Sequence, residues 1–249
     1  MKNRIKFAAL ALLAAGLFAS CNPETELAGK AWTGTAISTD SDGDRYEATL
    51  TLVCSSDNEG MLFVSEDYGD PMFFCFAMPV SYTWDGGHGT ATVTFSHPEL
   101  GSYTWTMDLD WTKAEGLRIT APTSMSNELE LPGFVNFALE GKSFAKPSTM
   151  EGKTFAAEFV ENYDGWDVAF DYELRFLTAT TGILNLSMSE EGVDEVESER
   201  WNINYTYKNG IGKASLFFEG ETSQGGFYMP DENHILFSDG ENGLMMTKQ

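Results

Sequence analysis

The stretch Asp40-Ser41-Asp42-Gly43-Asp44-Arg45-Tyr46-Glu47 sets carboxylates at alternate positions around a glycine, a pattern that lets a loop wrap oxygen ligands around a hard cation. Asp40, Asp42, Asp44 and Glu47 are the residues calcium would use. The twelve-residue spacing and distal bidentate glutamate of an EF-hand are missing, so a hairpin turn kept soluble by charge fits the same residues. Cys54 and Cys75, if paired, would close a loop of about 20 residues, worth about 3 kcal/mol in the chain-entropy estimate. Cys54 also continues the apolar alternation of Ala48, Leu50 and Leu52, so both thiols suit small core residues as well. Trp166, with Tyr163 just before it across Asp164-Gly165, falls in a turn, where an exposed ring could stack on a sugar or grip a partner. His88, His97 and His234 lie far apart, without the spacing a zinc site needs. No nucleophile elbow, phosphate-cradling loop or Cys-x-x-Cys occurs, and carboxylates are too numerous for any pair to single out a glycosidase site. The residues predict a protein that is not an enzyme and holds no obligatory cofactor.

The remaining cysteine, Cys21, has a different context. Lys2, Arg4 and Lys6 precede an apolar run from Phe7 to Phe18, and Ala19-Ser20 lead into the thiol. A basic start, a short apolar core and small residues before the cut read as a secretory signal over residues 1–20. The run falls short of the roughly 20 residues a permanent span requires. Removing Lys2, Arg4 and Lys6 leaves 12 basic residues against 38 acidic ones, a net charge of −26. That sign opposes binding to nucleic acid or to an anionic bilayer through charge. At 42% hydrophobic and 13% aromatic residues, the body is too apolar for disorder.

A long repeat organises that body. Residues 82–95 align without gaps to residues 205–218, with Tyr82, Thr83, Gly87, Gly89, Ala91 and Phe95 falling on Tyr205, Thr206, Gly210, Gly212, Ala214 and Phe218. At the same spacing Gly29-Lys30-Ala31-Trp32 falls on Gly152-Lys153-Thr154-Phe155, and Gly60-Met61-Leu62 matches Gly182-Ile183-Leu184 one residue closer. A period this long marks duplicated domains, since solenoid units run from about 20 to 50 residues. The reading gives a tether at 21–28, one copy at 29–146 and a second at 147–249.

Each copy reads as strands. From Tyr103 to Trp111 odd positions are large and apolar and even ones polar, which puts Trp105 and Trp111 on a core face. Gly- and Asn-rich segments at 85–89 and 208–212 supply the positive φ of tight hairpins. About eight short strands per copy predict an all-β protein of two tandem antiparallel up-and-down barrels, because closure removes exposed edges. A two-sheet sandwich is the rival arrangement.

The Phe18-Ala19-Ser20-Cys21 segment resembles the lipobox of bacterial lipoproteins. Taken with Gly29-Lys30-Ala31-Trp32, the Tyr-x-Trp/Tyr hairpins and the closing Leu244-Met245-Met246-Thr247-Lys248, the chain resembles lipocalin-like lipoproteins of Bacteroidetes. The resemblance implies acylation of Cys21, a small up-and-down barrel fold and a place in the cell envelope, on the outer membrane. It carries over no other functional residue. The function expected is a lipid-anchored binding module for an apolar small molecule, a glycan or a protein partner, and barrel mouths are common ligand sites. A structural spacer with filled barrels is the alternative, and an envelope hydrolase stands behind it. Replacement of Cys21→Ala is expected to release the protein from the membrane fraction and remove the acyl mass; retention of both would refute acylation at this thiol.

Overall fold

Alternating side chains dictate sixteen strands among the described residues, none of which forms a helix. The computed structural model describes residues 26–39, 45–66, 72–97, 101–125, 137–163, 166–190 and 196–249. The first eight strands are β1 (Lys30–Thr39), β2 (Arg45–Cys54), β3 (Glu59–Glu66), β4 (Met72–Trp84), β5 (His88–His97), β6 (Gly101–Thr112), β7 (Gly116–Met125) and β8 (Phe137–Ser143). Each pairs antiparallel with the next, and β8 returns to β1 through Ser143 opposite Lys30. The second eight repeat this: β9 (Thr154–Tyr163), β10 (Trp166–Phe176), β11 (Thr181–Glu190), β12 (Val196–Lys208), β13 (Ile211–Phe218), β14 (Glu221–Tyr228), β15 (His234–Ser238) and β16 (Asn242–Lys248). There β16 closes on β9 through Thr247 opposite Ala156. Two closed meanders result, as the strand pattern predicts, and the sandwich is excluded because every strand has both neighbours of an up-and-down barrel.

The duplication extends to individual hydrogen bonds. The Tyr82 hydroxyl donates to the Ser56 carbonyl, and the Tyr205 hydroxyl donates to the Thr178 carbonyl at 2.5 Å. In each case the tyrosine on the fourth strand ties down the hairpin between the second and third. The backbone N–H of Gly29 donates to Cys54 O, and that of Gly152 to Phe176 O, at 2.7 and 2.8 Å. Both glycines hold positive φ, 82° and 78°, a turn that any side chain would strain. These turns press Leu27 and Met150 into the two barrel floors, each 1% exposed. Leu27 therefore belongs to the first barrel, although its sequence position assigned it to the tether.

Inside the barrels, large side chains fill the space. Trp32, Leu50, Leu52, Leu62, Trp105 and Leu109 pack the first, and Phe155, Leu174, Phe176, Tyr205 and Phe227 the second, all 6% exposed or less. Trp105 stands on the core face as its alternation predicts, and Trp111 packs half-buried against the same core.

A third core lies between the barrels. Ala31, Val53, Met61, Phe63 and Cys75 project outward from the first wall and meet Ile211, Tyr228 and Leu236 of the second, with Phe144 from the connecting segment. The Phe63 and Tyr228 rings meet at a tilt of 44° with 5.1 Å between centroids. Strand β4 leaves β5 above Val80, where Pro79 has no N–H to offer, and pairs instead with β16: Met72, Phe73 and Phe74 face Leu244, Gly243 and Asn242. Cys75 is the next link, its N–H donating to Glu241 O at 2.7 Å while its carbonyl accepts the Ser238 hydroxyl at 2.6 Å. Sixteen strands thereby form one sheet.

Gly243 allows this approach, since a Cβ there would stand 2.4 Å from the Cys75 Cβ and 2.6 Å from the Phe73 ring. Gly243→Val is expected to lower stability by about 2–3 kcal/mol through overpacking, read from denaturant unfolding. Tyr205→Phe should cost about 1 kcal/mol by loss of one hydrogen bond. A Gly243→Val protein as stable as the parent would show that the strands do not meet here.

Candidate functional site

Successive inward positions toward the Tyr163/Trp166 end of the second barrel carry rings that the core only half covers. Phe159 on β9 stacks on Phe170 of β10 at 5.2 Å and 20°, and on Tyr172 at 5.8 Å and 18°. Trp201 on β12 lies 5.1 Å from Phe218 on β13. Met188 completes the inward set opposite Phe170, and all but the buried Tyr172 are partly accessible. The register sets Phe159, Phe170 and Met188 in one row and Trp201 with Phe218 in the row of Leu184, both toward the end where β9 joins β10, β11 joins β12 and β13 joins β14.

The wall beside the cluster is split. Strand β16 pairs with β9 only at Thr247 and Lys248, and its beginning pairs with β4. Met72, the first residue of β4, packs against the second barrel's core, and the Tyr172 hydroxyl donates to its sulfur at 3.5 Å. The seam between β9 and β16 is thus filled by a side chain from the other barrel.

Outside the same end, Val160 is 61% exposed and Val196 59%, linked through Ala169 and Ser189 in one row across four strands. Trp166, the first residue of β10, is 60% exposed, as its turn position predicts. Tyr163 pairs with it across the hairpin. Glu197 and Glu199 occupy inward positions of β12 beyond Trp201, and Glu190 follows Met188 on β11, so carboxylates rim the rings. Such an end offers flat apolar surface to a neutral or cationic ring compound and disfavours an anion.

Other predicted residues are not brought here. Asp40, Asp42 and Asp44 lie outside the described residues; Glu47 stands opposite Ile37 in β2, and its side chain is likewise outside them. Among the described residues no group of three or more His, Cys, Asp or Glu side chains is placed to hold a metal. Cys21 also lies outside them. The suggested Cys54–Cys75 disulfide is corrected: both thiols are free, because Cys54 points into the first barrel while Cys75 points out of it into the inter-barrel core. Alternation along β4 separates Cys75 from the inward Phe76 and Met78.

Burial pushes both thiols up to about 12 and Tyr207 and Tyr228 to about 12, so all four stay protonated inside packed cores. The carboxylates with resolved shifts, Asp85, Glu173 and Asp231, all move below the ordinary range. Backbone N–H donors hold Asp85 and Asp231 down, and the Arg175 guanidinium holds Glu173 down. No family model, curated protein or solved structure matches the chain.

The thiol shifts have a pH consequence. The folded state retains both protons to about pH 12, whereas unfolded thiols lose theirs near pH 9, so stability is flat below pH 9 and falls above it. The slope approaches about 1.4 kcal/mol per pH unit per thiol. Denaturant midpoints measured between pH 8 and 11 should drop steeply in the parent and less in Cys75→Ala. Equal slopes, or ready thiol labelling of the folded protein at pH 8, would contradict this burial.

Proposed function

We propose that the chain is a non-catalytic binding protein, held in a bacterial cell envelope by a lipid on Cys21, that engages ligands through the aromatic end of its second barrel. The observation that carries this reading is the set of half-covered rings, Phe159, Phe170, Trp201 and Phe218, ending a barrel whose deeper residues are fully packed. Exposed Trp166 and the Val160 to Val196 row extend the apolar surface to the outer wall. An apolar ring compound, the face of a sugar, or an aromatic side chain of a protein partner fits this chemistry. The carboxylate rim favours neutral or cationic members of each class.

The same packing directs where a ligand goes. Solvent has almost no access to Trp32, Trp105, Leu174 or Phe176, so occupancy is proposed at the barrel end and not along its axis. The filled interiors also favour a second reading, in which the two barrels space an acidic surface from the membrane.

Native mass spectrometry of residues 22–249, purified without detergent, separates the two. The binding reading predicts a retained mass, or saturable uptake of an added neutral ring compound, weakened about fivefold in Trp201→Ala through loss of one ring contact. A bare protein under every condition, indifferent to Trp201→Ala, would replace it with the spacer reading.

A further inference from the structure

The floor-side junction of the barrels holds a groove of about 420 Å³ whose lining differs in character from the rest of the chain. Ser81, Thr92 and Thr94 come from the outer face of β4 and β5, and Thr206, Lys208 and Lys213 from β12 and β13. The register explains the grouping: Ser81 stands directly opposite Thr92, and Thr206 directly opposite Lys213. Exposed Pro79 supplies the groove's apolar surface, while Val80 and Ile211 border it as largely buried residues.

The charge balance is inverted here. In a chain with 15 basic and 38 acidic residues, this lining holds two lysines and a single acid, Glu59. Glu59 is already engaged, its carboxylate accepting from Lys208 Nζ at 3.1 Å across the two barrels. That leaves Lys213 as the uncompensated charge. Among the described residues, neither its ammonium nor the hydroxyls of Ser81, Thr92 and Thr206 have a hydrogen-bond partner within the protein. The volume falls within the roughly 300–1,000 Å³ of small-molecule sites, and such sites favour junctions between domains.

We infer that this groove binds an anionic sugar, its acid group on Lys213, its hydroxyls on Ser81, Thr92 and Thr206, and its C–H face on Pro79. An ammonium pairs with a carboxylate or phosphate, and hydroxyls that both donate and accept match a polyol ring. The distant acidic surface opposes this weakly, because salt at physiological strength screens charges beyond about 8 Å. The site is separate from the aromatic end of the second barrel, whose carboxylate rim disfavours anions.

The test is titration of ¹⁵N-labelled residues 22–249, which carry every strand of both barrels, with glucuronate, glucose 6-phosphate and neutral glucose. Saturable shifts at Thr92, Thr206 and Lys213, with a dissociation constant on the order of 1 mM, are expected from an acidic sugar and not from glucose. Binding of glucuronate alone assigns a carboxylate, and of glucose 6-phosphate alone a phosphate. Lys213→Gln should weaken that binding about fivefold, while Trp201→Ala leaves it unchanged. Equal binding of glucose, no saturable shift from any of the three, or indifference to Lys213→Gln would overturn the inference.

Discussion

The apolar seam between the barrels is the constraint on which the remaining structure depends. Two eight-stranded meanders could each close alone, yet Val53, Met61, Phe63 and Cys75 leave the first wall with an apolar outer face that water cannot satisfy. Covering that face with Ile211, Tyr228 and Leu236 fixes how the barrels meet. It draws β4 away from β5 onto β16 and wedges Met72 into the second barrel. The split between β9 and β16, the aromatic end beside it and the polar groove at the opposite junction all follow from this one contact.

Duplication followed by divergence explains why only one copy behaves this way. At the repeat spacing of 123 residues, Cys75, Ala77 and Pro79 on β4 correspond to Ser198, Arg200 and Asn202 on β12. On the outer face of β12 Ser198, Arg200 and Asn202 are polar and exposed, while on β4 Cys75 is buried and Ala77 half-buried. The inward sets remain alike, and Tyr82 and Tyr205 still bind the same turn of their barrels. Inner faces preserve the fold, and outer faces have been free to become an interface or a binding surface.

Much of this was legible in the residues. Period-two alternation and the hairpin glycines specify the strands, and the repeat specifies two barrels, because these are local signals. The third core was harder, since joining β4 to β16 is a contact between residues far apart in the chain. A sign of it was present: from Met72 to Val80 nearly every residue is apolar, which a strand with one wet face cannot sustain. The same run left the direction of Cys75 open, because phenylalanine stands on both sides of it and marks neither face as the inner one. Trp166 was readable as an exposed ring from its turn, whereas Phe159, Phe170, Trp201 and Phe218 carry no such local mark. Only their partial cover in the folded barrel shows that they lie toward its uncovered end.

If the seam governs the structure, the two barrels must unfold together. Differential scanning calorimetry of residues 22–249 measures this directly by comparing calorimetric with van't Hoff enthalpy. One transition with equal enthalpies is the expected result. Two resolved transitions, each carrying the enthalpy of one barrel, would show that the barrels are independent and that the shared core does not hold them as one unit.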